Sequence, residues 1–165
     1  MPQLRREGQP IGSPSPKLTI LTPPHASTEA VRRVMQGNTA RDTRPEVAVR
    51  SAVHALGLRF RKHASPLPGL RCRADLVFTR QRVVVFVDGC FWHGCPEHGV
   101  SPTTNSSYWH AKLGGNVDRD RRNDAALADA GWTVVRVWEH EEPQAAALRI
   151  ASAVRAAGAN VRSAS

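Results

Sequence analysis

Apolar positions along the chain switch between helical and alternating spacing, and the switches mark out the elements. Val31, Val34 and Met35 recur at helical spacing behind Ser27 or Thr28, either of which can cap a short helix over about 28–36 that Gly37 and Asn38 stop. Thr43, Pro45 and Glu46 have capping-box spacing. Val47, Val49, Val53 and Leu56 then carry an apolar stripe to Gly57, a left-handed stop, which predicts a firmer helix over about 44–56. Leu58–His63 and Arg73–Phe78 read as strands on either side of the SPLPGL turn, and Thr79–Arg82 links the second to Val83–Val87. That third run, rich in branched apolar residues, has the look of a fully buried strand. Ser101–Ser107 is polar loop, Tyr108–Leu113 a short helix, and Asn116 the cap of a longer helix over about 117–130 with Val117, Leu127 and Ala130 inward. Trp132–Trp138 alternates as a strand with both tryptophans expected in the core, and Pro143 opens an Ala-rich helix to about 157. The order predicts a mixed α/β layer arrangement.

Residues 1–26 are dense in Pro, Gly and Ser and keep no period, so they read as a disordered basic leader ahead of one domain over 27–158, with a disordered tail at 159–165. A chain of 165 residues is one domain's worth, enough for a single moderate core. No run approaches the roughly 18 apolar residues of a membrane span, and no apolar segment of a secretory signal precedes the first prolines. Three cysteines make a disulfide framework improbable and suit a reducing cytoplasm. The net charge of +9, from 23 basic and 14 acidic residues, favours nucleic acid as partner over a membrane and suggests association with the nucleoid. Arginine outnumbers lysine 20 to 3, which suits phosphate forks but equally follows from genomic base composition.

Chemistry concentrates where the buried strand ends: Asp88, Cys90, Phe91, Trp92, His93, Cys95 and His98 follow Val83–Val87 directly. Cys90, Cys95 and His98 converge on one zinc ion if the loop folds back, with a fourth ligand from elsewhere. The plainer reading is a turn with two buried thiols and solvated histidines.

VDGCFWHGCPEH, with GNVDRDRRND downstream and VWEHE after the last strand, resembles the very short patch repair endonucleases, the Vsr family. RDTRPE at Arg41–Glu46, LGLRFR at Leu56–Arg61, ADLVF at Ala74–Phe78, TTNSSYWHAKLGGN at Thr103–Asn116 and AGWTVVRVWEHE at Ala130–Glu141 follow the family in the same order, over about residues 30–142. The resemblance implies a restriction endonuclease-like (PD-(D/E)XK-type) fold, a mixed central sheet flanked by helices with a structural zinc loop. It also implies an activity: Mg²⁺-dependent nicking of one DNA strand beside a T·G mismatch left by 5-methylcytosine deamination.

By the same resemblance Asp75 binds Mg²⁺ with the backbone carbonyl at Val87, His93 transfers protons, Asp120 orients His93, and Glu46 is an active-site acid. An imidazole titrating near neutrality is a natural general base. From spacing alone Asp120 is a helix first-turn acid and Glu46 a capping-box member, and both identities can hold. The zinc ligands become Cys90, Cys95, His98 and His140, a closed and therefore structural set. Phe91, Trp92 and Trp109 match the family's intercalating wedge, and base–aromatic stacking is worth roughly 1–3 kcal/mol per base. Met35 is either a minor-groove probe or a helix-packing residue. Lys112, Asn116, Arg119, Arg121 and Arg122 are the further DNA-contact candidates, the cations meeting phosphates.

The chain also departs from the pattern. Ala74 stands where many nucleases of this fold carry proline, no lysine follows on the next strand, and Asp88 occupies a position that is histidine in the better-studied family member. Asp88 is therefore a candidate direct metal ligand. Two other functions compete with the nicking enzyme: a zinc-stapled module that binds distorted duplex without cutting, and a restriction-type nuclease of fully paired DNA. A monomer acting on mismatched duplex, with other repair proteins as further partners, is the expected assembly.

Overall fold

Four strands pair into one sheet in the order β1-β2-β3-β4, built from Arg61–Ala64, Ala74–Phe78, Val83–Asp88 and Thr133–Trp138. The computed structural model describes residues 41–99, 103 and 105–163, so the leader, the helix expected over 28–36 and Met35 lie outside the described residues. β1 and β2 are antiparallel, as are β2 and β3, whereas β3 and β4 run parallel with Asp88 opposite Trp138 as their last pair. A parallel pair needs a long crossover, and helix α2, Ser106–Asp129, supplies it. Helix α1 spans Arg44–Ala55 and helix α3 spans Pro143–Ser163.

The sheet is covered on both faces. Val49 and Val53 of α1 and Ala146, Ala147, Ile150 and Val154 of α3 pack with Leu76, Phe78, Val83, Val85, Val135 and Val137. The other cluster joins Cys72, Ala74, Val77 and Val84 to Leu127 of α2. Each fully buried Val, Leu, Ile or Phe contributes roughly 1.5–3 kcal/mol, which makes the sheet a rigid platform for whatever its strand ends carry. Among the described residues no helix is long and apolar enough to cross a membrane.

Among the described residues the expected elements are present, with four differences. Helix α2 runs unbroken through Gly114 and Gly115, where a short and a long helix were expected. Each glycine costs about 1 kcal/mol relative to alanine in a helix, but Trp109 and Leu127 are buried at either end and hold the helix across the weak point. Asn116 is consequently not a cap; its side-chain amide donates to the Trp92 carbonyl at 3.2 Å. Helix α3 continues to Ser163, into the stretch read as tail. Strand pairing begins at Arg61 instead of Leu58, because Leu58 and Phe60 pack against the first core before the ladder starts. Trp132 and Trp138 are half-buried instead of core: Trp138 lies nearly parallel to the His140 ring, with planes 11° apart and centroids at 6.4 Å.

Candidate active site

The parallel β3–β4 pair explains why chemistry gathers at one sheet end. With Asp88 opposite Trp138 and the Glu139 N–H donating to the Asp88 carbonyl at 2.9 Å, the two chains leave the sheet in step. Two residues further on, Cys90 and His140 face each other, with Sγ 3.0 Å from Nδ1. The Glu139 carboxylate accepts the Cys90 N–H at 2.6 Å and fixes the start of the loop. Gly94, at φ +65°, then turns the chain so that Cys95 returns, its Sγ 3.8 Å from His140 Nδ1 and 4.0 Å from His98 Nδ1. One ligand atom from each of Cys90, Cys95, His98 and His140 lies within 4.8 Å of all the others. Two thiols and two imidazoles at these separations fit a tetrahedral zinc ion, and the thiols are buried while both histidines reach the surface.

Beside this cluster, on the α2 side of the sheet, lies an open cleft of about 710 Å³ lined by Glu46, Asp75, Val87, Asp88, His93, Arg119, Asp120 and Arg136 among others. Asp75 and His93, expected to share one site, do share it. The Asp75 carboxylate accepts the Val87 N–H through Oδ2 at 2.7 Å. Burial, reinforced by the negative charges of Glu46 and Asp88, raises its pKa to about 6 despite that hydrogen bond. Several carboxylates facing one cleft, one of them held well above its ordinary range, form a set that a divalent cation would relieve.

His93 Nδ1 sits 2.6 Å from Asp120 Oδ2 and 3.7 Å from Asp88 Oδ1. Because a carboxylate only accepts, Asp120 fixes the proton on Nδ1 and leaves Nε2 as the free base. Glu46 lines the cleft, and the capping box expected from spacing is only half formed: Thr43 makes no side-chain cap bond, while the Glu46 carboxylate takes the Thr43 hydroxyl at 2.8 Å and the Asp42 N–H at 2.9 Å.

Asp88, the candidate metal ligand, is 4% exposed, and both its oxygens receive Arg136 Nη1, at 2.8 and 2.7 Å. Arg136 also forks onto Asp124 at 2.9 and 3.0 Å and lies over the Phe86 ring at 5.0 Å. Burial raises the Asp88 pKa while Arg136 pulls against it. Sequence reasoning passed over Arg136 and Asp124. A charged residue between the inward-facing Val134 and Trp138 of β4 was the available signal, as was Asp124 one turn beyond Asp120.

Trp92 lines the cleft, and Phe91 and Trp109 pack with it edge to face or tilted, the three centroids 4.9–6.1 Å apart. Lys112 Nζ stands 5.5–5.7 Å from the Trp92, Tyr108 and Trp109 rings. Trp109 is only 8% exposed, so Phe91 and Trp92 are the accessible members of the expected wedge. Arg119 borders the cleft, while Arg121 and Arg122 are exposed along α2.

A family model described as DNA mismatch endonuclease Vsr matches residues 26–98. The Type II nicking enzyme V.NaeI of Lentzea aerocolonigenes is 51% identical over 120 residues, 72% of either chain. V.XorIIP of Xanthomonas oryzae, also a Type II nicking enzyme, is 45% identical over 126 residues, 74% of this chain and 88% of its own. The DNA mismatch endonuclease Vsr of Escherichia coli is 41% identical over 107 residues, 64% of this chain and 66% of its own. With 51% identity to a nicking enzyme over 72% of its length, and a family model matching residues 26–98, this chain belongs to the Vsr endonuclease family.

Proposed function

We propose that this DNA endonuclease nicks one strand of duplex DNA next to a T·G mismatch, in a Mg²⁺-dependent hydrolysis, and that a zinc ion keeps its catalytic loop in shape. The observation that carries the reading is the shared cleft, which Asp75 and the His93–Asp120 pair both line.

Asp75 and the Val87 carbonyl are the groups that would hold Mg²⁺, with Glu46 nearby to order its water shell. Bound there, the ion would polarise the scissile phosphate and lower the pKa of attacking water. His93 takes the water proton at Nε2 while Asp120 keeps the ring in the required tautomer and stabilises the imidazolium. Asp88, tied to Arg136, adds negative charge behind His93 without needing to touch the ion. Cys90, Cys95, His98 and His140 would hold zinc, and because ligation energy is folding energy they anchor the loop that carries Phe91, Trp92 and His93. Phe91 and Trp92 are placed to stack on bases opened at a mismatch, and Arg119, Arg121, Arg122 and Lys112 supply cations for phosphates.

One chain carries a complete set of these groups, which suits a monomer making a single nick. The test is a strand-labelled T·G duplex incubated with protein and Mg²⁺, alongside its fully paired counterpart. The reading expects a nick in the mismatched strand only, absent with Asp75→Asn. Equal cutting of the paired duplex would indicate a restriction-type nuclease, and tight binding without cleavage a non-cutting module.

A further inference from the structure

A second histidine, His63, stands near the Asp75 carboxylate, and none of the roles above uses it. His63 lies inside β1, between the paired Lys62 and Ala64, with a left-handed backbone, φ +47°, a conformation uncommon for a residue with a side chain and retained where surroundings enforce it. The enforcing contacts are specific. Arg50, buried on α1, places Nη1 2.9 Å from His63 Nε2 and pairs through Nη2 with Asp42. Glu46 Oε2 is 3.8 Å from the same ring nitrogen, and the Arg73 guanidinium donates to the His63 carbonyl at 3.0 Å. On its other side the ring turns Nδ1 to Asp75 Oδ1 at 3.7 Å.

The tautomer follows from the partners. Two groups meet Nε2 directly: the Arg50 guanidinium at 2.9 Å, which can only donate, and Asp42 Oδ1 at 3.3 Å, which can only accept. The guanidinium is the nearer and already pairs with that carboxylate, so Nε2 accepts from Arg50 and the ring proton is on Nδ1. His63 therefore offers an N–H to the Asp75 oxygen that Val87 leaves free, within reach of a bridging water or a small shift. Hydrogen bonds from an outer partner fix which lone pairs a carboxylate presents to a cation, and removing such a partner typically weakens metal affinity 10–100-fold.

We propose that His63 is a positioning residue for the metal-binding carboxylate, its Nδ1–H aimed at Asp75 by the Arg50–Asp42 pair. The inference rests on the reading of Asp75 as the cation-binding group.

Asparagine and glutamine separate the two ring nitrogens. The amide of His63→Asn occupies the place of Nδ1 and tolerates the left-handed backbone, whereas that of His63→Gln reaches the place of Nε2 and preserves the Arg50 contact alone. The measurement is Mn²⁺ binding to the DNA-free, zinc-loaded protein by electron paramagnetic resonance, counting only the sites lost in Asp75→Asn, with thermal melting to verify folding. Expected is a loss of affinity of about tenfold or more for His63→Gln, with His63→Asn within about threefold of wild type. The reverse pattern, or no change in either variant, overturns the proposal and assigns His63 to holding Arg50. Wild-type protein with no Asp75-dependent Mn²⁺ site overturns the reading of Asp75 itself.

Discussion

Two groups of metal-type ligands lie a few residues apart at the same sheet end, and they are built in opposite ways. In the Cys90–Cys95–His98–His140 cluster the four ligand atoms already converge, two of them buried, with no carboxylate among them. Around Asp75 the carboxylates are spread along an open cleft, each held by its own partner: Val87 for Asp75, Thr43 and Asp42 for Glu46, Arg136 for Asp88. A closed set of soft ligands holds an ion for structure, and an open set of hard oxygens leaves room for water and phosphate. The difference assigns them different work, and each of the following perturbations should affect one group more than the other.

The largest effect should come from Asp75→Asn. It removes the carboxylate proposed to hold the cation, so nicking should fall to background in a gel assay while zinc content stays unchanged. The same substitution should stabilise the metal-free protein. A carboxyl raised to about 6 from an ordinary 3.8 binds its proton more tightly in the folded state. Its contribution to stability is therefore greatest below the ordinary value and is lost as pH rises through about 6. Above that, the linkage relation sets the gain from Asn at up to about 3 kcal/mol, read as a melting temperature that diverges from wild type between pH 4 and 7. Nicking, which needs the ionised carboxylate, should rise with pH over that interval.

Next in size is the closed cluster. His140→Ala should strip zinc, measurable by elemental analysis, and unmoor the loop bearing His93. The rate should then fall at least as far as removing a general base does, about 10²–10⁴-fold. A zinc-free variant of normal activity would show that the loop needs no ion. Asp120→Asn should cost less than His93→Ala, since it disturbs the tautomer without removing the base, and should leave zinc and Mn²⁺ binding intact. Smallest is Arg119→Ala, expected to leave the rate at saturating DNA nearly unchanged and to reduce the salt dependence of binding by about one phosphate contact.

The two regions were also unequally legible in the sequence. Three members of the closed cluster were readable because they are chemically rare and sit in one loop; His140 came from the family resemblance, and the parallel pairing of β3 with β4 is what brings it beside them. Asp75, His93 and Asp120 came from the family's motifs, and the structure supplies what spacing could not, that they line one cleft. Arg136, Asp124, Arg50 and His63 were passed over because the signals they gave were weak, and the reason is physical. Each acts through a partner on another element, Asp88 with Arg136 across the parallel pair and Arg50 with His63 from helix to strand, and common residue types carry little signal until tertiary structure pairs them. The helix break expected at Gly114–Gly115 failed likewise, because burial of Trp109 and Leu127 overrides local propensity.

The division between a closed structural ion and an open catalytic one is tested most directly by anomalous X-ray diffraction from crystals grown with zinc and soaked in Mn²⁺. The account predicts a zinc signal at the centre of Cys90, Cys95, His98 and His140 and a separate manganese signal against the Asp75 carboxylate. Manganese absent from Asp75, or found only among the cysteines and histidines, would contradict it.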